Sequence, residues 1–123
     1  MRVLVVDDVP ELRSLLRLIL ETEAGTEVLE AGSGEEALEV VEHHDVDLVV
    51  MDQSMPGMSG AECIRALAGL RPGLEVVAFT SMPDGEAMLL RAGAAAHFTK
   101  PQVDPLIAFV RQRSAADGYR SSE

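Results

Sequence analysis

Val3-Leu4-Val5-Val6-Asp7-Asp8-Val9-Pro10 opens the chain with four apolar residues that run directly into two acids and a proline. An unbroken apolar run of this length, closed by a turn signal, reads as a strand covered on both faces. Three later runs have the same form: Leu48 to Met51 before Asp52, Val76 to Phe79 before Thr80, and Ala94 to Phe98 before Lys100. Helical patterns fall between them. Pro10 suits a first helical turn, and Leu12, Leu15, Leu16 and Ile19 recur at the spacing of one helix face, which predicts a helix over Pro10 to Glu23. Gly25 breaks it, and Glu27 to Ala31 reads as a short strand. Ser33 with Glu36, and Ser59 with Glu62, have the spacing of capping boxes opening two more helices. Ala37, Leu38 and Val41 stripe the first of these; Ile64, Leu67 and Ala68 stripe the second. Met55-Pro56-Gly57 and Pro72-Gly73 are turns. A short helix over Asp84 to Ala92 ends at Gly93, and a last one runs from Pro105 to about Ser114. Five βα units result, and such alternation gives a parallel α/β sheet with helices on both faces.

The ends of the strands carry the chemistry. In open parallel sheets, ligands sit in the crevice outside the carboxyl ends. That edge collects Asp7, Asp8, Asp52, Thr80 and Lys100. Two like charges about 4 Å apart repel by roughly 4 kcal/mol at an effective dielectric of about 20, so three acids gathered there call for a cation. The pattern points to a metal-assisted site. Singly, each residue has a plainer reading: Asp7-Asp8 as a helix cap, Lys100 as a solvated charge, Thr80 as a strand-end hydroxyl. Their coincidence at one sheet edge is what favours the site.

At 123 residues the chain has the size of one domain. Its net charge of −11 disfavours direct contact with nucleic acid or anionic lipid and favours a protein partner. The single cysteine, Cys63, falls in a helical pattern and reads as a small buried apolar residue, consistent with a reducing compartment. No apolar stretch approaches the roughly 20 residues of a membrane span, and the amino terminus enters a strand at once, so a cytoplasmic location is expected. His43-His44 closes the second helix, where such residues suit the macrodipole. The segment Ala115 to Glu123, rich in Ser, Gly and charge, is expected to fray as a flexible tail beyond a folded unit at 1–114.

Taken together, Asp7-Asp8 after the first strand, Asp52 followed by Met55-Pro56-Gly57-Met58 and Gly60, Thr80, and Lys100-Pro101 resemble the receiver domain of bacterial two-component response regulators, including the free-standing chemotaxis type. The likeness covers the chain up to its last helix. It implies a flavodoxin-like five-stranded sheet of order 2-1-3-4-5. It also implies phosphorelay signalling: Asp52 accepts a phosphoryl group from a sensor histidine kinase or a histidine phosphotransfer protein. Mg2+ would be held by Asp8, Asp52 and the backbone carbonyl of Ser54, with Asp7 acting through water. Lys100 and Thr80 would contact the phosphoryl oxygens. Thr80 would pass the change to the residue three before the lysine, an aromatic in the family and His97 here. The segment from Thr80 to Gly93 is about two residues shorter than the family's, which predicts a stunted fourth helix. Ser54 and Met82 would flank the path of attacking water, and the apolar Met82 predicts slow dephosphorylation. The protein would be a phosphoacceptor that assists its own phosphorylation and dephosphorylation rather than an enzyme. A free-standing regulator and the receiver portion of a longer one are both compatible with this reading.

Other classes fit less well. A flavodoxin-type electron carrier needs a hydroxyl-rich phosphate loop where Asp7-Asp8-Val9-Pro10 stands and aromatics beside the flavin, and this chain has no tryptophan. An aspartate-nucleophile phosphatase places its nucleophile after the first strand, whereas the candidate here follows the third. A phosphorylation-independent binding module of the same fold is the main alternative, against which stands the intact set of acids.

Overall fold

A computed structural model describes residues 1–81 and 83–121, with the side chains of 83 and 116–121 outside the description. Five strands, β1 (Arg2–Val6), β2 (Glu27–Ala31), β3 (Leu48–Met51), β4 (Glu75–Thr80) and β5 (Ala96–Thr99), alternate with α1 (Pro10–Leu20), α2 (Gly34–His43), α3 (Gly60–Leu70), α4 (Pro83–Ala92) and α5 (Val103–Ser121). All pairings are parallel and the order is β2-β1-β3-β4-β5. The reversal of winding between β1 and β3 opens the crevice in which the acids were expected.

Strand alternation divides the interior into two cores. Val3, Val5, Leu48, Val50, Val77 and Phe79 pack with Leu16 and Leu20 of α1 and Leu106 and Val110 of α5. Their neighbours Leu4, Val6, Val49, Met51, Val76 and Ala78 pack with α2, α3 and α4, through Ala37, Val41, Cys63, Ile64, Leu67 and Leu89. Central strands buried on both sides have no room for a polar face, which is why β3 is apolar throughout and β1 and β4 carry polar residues only at their ends. The edge strand β5 departs from that expectation. Ala96 and Phe98 are half-buried while His97 and Thr99 are exposed, because no strand lies beyond it.

Several boundaries differ from the sequence reading for local reasons. Helix α1 stops at Leu20 rather than Glu23: the Thr22 hydroxyl donates to the Ile19 carbonyl at 2.6 Å, and the Glu21 carboxylate accepts the Val28 N–H at 3.0 Å. Leu15 is 46% exposed, so the inward stripe of α1 runs through Leu16 and Leu20 instead. The capping box at Ser59 and Glu62 is complete, whereas Glu36 turns to the N–H of Gly32 and leaves Ser33 to cap α2 alone. Helix α4 is not stunted. It has 10 residues, as many as α2, and begins three positions after Thr80. Met82, to which an effect on phosphoryl lifetime was attached, lies outside the described residues. Helix α5 continues past Ser114 to Ser121.

Candidate functional site

The register of β1 on β3 pairs Val6 with Met51, so the next residues, Asp7 and Asp52, emerge side by side. The Asp52 N–H donates to the Val6 carbonyl at 3.1 Å, which carries the ladder one step into the site. Asp7, Asp8 and Asp52 each offer a carboxylate oxygen within 4.8 Å of the others'. Asp7 and Asp52 are buried and Asp8 is exposed. Lys100 reaches in from the end of β5, its Nζ 2.5 Å from Asp7 Oδ2 and 3.3 Å from Asp52 Oδ2, while lying 5.9 Å from the Phe79 ring centroid. The peptide bond to Pro101 is cis. Thr80 is buried at the end of β4 and its side chain hydrogen-bonds the Asp52 carboxylate.

The three acids divide the work by environment. Asp7 is fully engaged: Oδ1 accepts the Val9 N–H at 2.9 Å and Oδ2 faces Lys100. Neither Asp7 nor Asp8 caps α1, whose N-cap is Val9 with no side-chain bond, so the capping alternative does not hold. The Arg13 guanidinium donates to the Asp7 backbone carbonyl at 2.6 Å and pairs with Glu30, fixing the β1–α1 turn. Asp8 makes no hydrogen bond or ion pair among the described residues and is open to solvent. Burial pushes the Asp52 carboxyl above its ordinary pKa; the charge of Lys100 opposes this, that of Asp7 adds to it, and hydrogen bonds from Lys100 and Thr80 oppose it in turn. Burial prevails. One lysine among three acids leaves net negative charge in a crevice of low polarity, and oxygen-only donors suit a hard divalent cation such as Mg2+ rather than zinc.

Two supporting residues were not singled out in the sequence reading for the work they do. Gln53 is buried beside Asp52. Its N–H donates to Asp52 Oδ1 at 2.9 Å and its side-chain Oε1 accepts the Ala61 N–H at 2.9 Å, tying the β3 exit to α3. Gly60 has no room for a side chain, since a Cβ there would overlap the Asp52 carbonyl oxygen and lie 2.9 Å from Gln53 Cα. Gly60 was noted in the motif, but only the structure shows this close approach. Ser54 sits exposed in the loop two residues beyond Asp52. His97 stands apart from the acids, on the exposed side of β5, where its Nδ1 lies 3.2 Å from Glu86 Oε2 on α4. Glu86 Oε1 also accepts the Thr99 hydroxyl at 2.5 Å, so one carboxylate ties α4 to two residues of β5.

A parallel sheet that delivers a carboxylate cluster, a lysine and a hydroxyl to its switch point defines a phosphoryl-accepting α/β module. The sequence profile of the response regulator receiver domain matches residues 3–111, and the chain belongs to that family. It is 38% identical over 109 residues to the chemotaxis protein CheY of Halobacterium salinarum, with 86% of this chain and 89% of that protein covered. Against the nitrate/nitrite response regulator protein NarP of Escherichia coli it is 32% identical over 122 residues, covering 97% of this chain and 56% of the relative. The chain spans about half the length of several curated relatives it matches. Among solved structures, the response regulator protein TrrA of Thermotoga maritima in complex with Mg2+-BeF superposes with a TM-score of 0.81 at 33% identity, covering 90% of this chain and 96% of that one. Fold, acids and family membership agree on a phosphoacceptor module of phosphorelay signalling.

Proposed function

We propose that Asp52 is the phosphoacceptor and that the site works with Mg2+. The observation that carries this reading is Lys100 set between Asp7 and Asp52 at the β1–β3 switch point. Asp8, Asp52 and the Ser54 carbonyl would hold the ion, with Asp7 acting through water because both its oxygens are already engaged. Bound there, the ion would neutralise phosphoryl oxygens as charge redistributes during transfer. Asp52 supplies the nucleophile: a carboxylate oxygen attacks phosphorus, the bond to the donor's imidazole nitrogen breaks, and the imidazole departs. Gln53 N–H and the β3 ladder hold Asp52 in line. Lys100 would turn from the carboxylates to a phosphoryl oxygen, and Thr80 would move its hydroxyl from Asp52 to another. Both interactions strengthen as the product forms.

The donor would be a sensor histidine kinase or a phosphotransfer protein, and the output an unidentified protein partner. No described helix is long and apolar enough to cross a membrane, and a cytoplasmic setting accords with the free, buried Cys63. The conformational signal would leave by Thr80 into α4, which begins at Pro83, and reach His97 through the Glu86 tie. Titrating isotope-labelled protein with beryllofluoride tests this reading by NMR. Shifts should centre on Asp52, Thr80 and Lys100, extend to His97, and require Mg2+. Metal-independent shifts, or none at Asp52, would contradict it.

A further inference from the structure

Most of the described basic residues of this acidic chain are paired. Arg2, Arg13, Arg17, Arg71, Arg111 and Arg113 each lie within ion-pair distance of a carboxylate, as does Lys100. Among the described residues, Arg65 on α3 and Arg91 on α4 form neither ion pair nor side-chain hydrogen bond. With 21 acids to 10 Lys and Arg, two arginines left over on adjacent helices are not what charge balance alone would give. Both line one cavity of about 280 Å³, with Gln53, Ser59, Ala61 and Met88.

Among the described residues, no acid lines that cavity. Its inner wall is Gln53, whose Nε2 spends a donor on the Met88 sulfur at 3.2 Å, a weak acceptor. The Gln53 amide, the Ser59 hydroxyl and two exposed, unpaired guanidinium groups share this lining with Ala61 and the exposed Met88. Arginine's planar fork matches carboxylate and phosphate oxygens, and a ligand there would offer Gln53 a better acceptor than sulfur. The volume, about 280 Å³, falls just below the roughly 300–1,000 Å³ typical of small-molecule pockets, which limits the occupant to a small one.

We propose that the groove between α3 and α4 binds a small organic oxyanion, a phosphate monoester or a carboxylate, gripped by Arg65 and Arg91. Occupancy bridges the two helices. It also bears on the acceptor site, because Gln53 presents its side chain to the groove and its backbone N–H to Asp52 Oδ1. The proposal is independent of the role assigned to Asp52, and it is tested without metal or phosphoryl donor.

The experiment is an NMR titration of metal-free, labelled protein at constant ionic strength with glycerol phosphate, with succinate and with a tetraglutamate peptide. Saturable shifts at Gln53, Ser59, Arg65, Met88 and Arg91 are expected with one or both small molecules, and which of them responds names the source of the oxyanion. Arg65→Gln combined with Arg91→Gln should weaken that binding at least about tenfold, while the dispersed spectrum shows that the variant is folded. Absence of saturable shifts by about 20 mM, where a millimolar site would be filled, overturns the proposal. So does binding unchanged in the double variant, or a response to the peptide alone, which would make the groove a protein-docking surface.

Discussion

Asp52 bears an energetic burden in the resting state, since its carboxylate is buried beside Asp7 and within 4.8 Å of a second acid. Its folded pKa is raised, so the folded state holds the proton more tightly than the unfolded chain does. Stability from this group therefore falls as pH rises from the unfolded value through the folded one, and ionising the buried carboxyl weakens the fold. Asp52→Asn should melt a few °C above the parent at pH 7 without divalent cation, at roughly 4 °C per kcal/mol for a domain of this size, and the gap should close in acid. Calorimetry at several pH values checks it; an Asn variant less stable than the parent at pH 7 would refute the sign. Gly60→Ala should act oppositely. Its methyl overlaps the Asp52 carbonyl oxygen, so a loss of about 1–3 kcal/mol is expected from denaturant titration. These two residues also show what the sequence made legible. Asp52 announced itself as an acid closing an apolar run, whereas the requirement at Gly60 depends on how closely α3 approaches β3, a distance that no local pattern encodes.

At the scale of elements, the alternation of five strands with amphipathic segments was readable because both periodicities are written in apolar spacing. The ends of elements were less so. Helix α1 ends where Thr22 and Glu21 satisfy local backbone groups, and β5 is half-exposed because it is an edge; both depend on neighbours that the sequence lists far away or not at all. The expected stunting of the fourth helix did not follow, since α4 has as many residues as α2. The tie between α4 and β5 through Glu86 went unseen for the same reason, since His97 and Thr99 are 11 and 13 residues from it. As an exposed pair it contributes little to global stability, on the order of 1 kcal/mol or less. Its effect should be local. Glu86→Ala should quicken amide hydrogen exchange in α4 and β5 while leaving β1 and β3 unchanged, and uniform acceleration across the sheet would mean that Glu86 has a general structural role instead.

For the whole molecule, two cores hold a sheet whose carboxyl edge presents the acids, and in the proposed reading α4 and β5 would carry the change away from them. Lys100 offsets the mutual repulsion of the acids only in part, so a divalent cation bound among them would link its binding to stability. Mg2+ should raise the melting temperature of the parent, by the equivalent of about 2.7 kcal/mol at 100 times its dissociation constant. Asp8→Asn should lose most of that increment. An equal increment in parent and variant would remove Asp8 from the metal site. The most direct test of the account is chemical: incubate the protein with acetyl phosphate, with and without Mg2+, and read its intact mass. The account predicts one added phosphoryl group, only with Mg2+, lost in Asp52→Asn; a phosphoryl group gained equally by Asp52→Asn, or by the parent without metal, would contradict it.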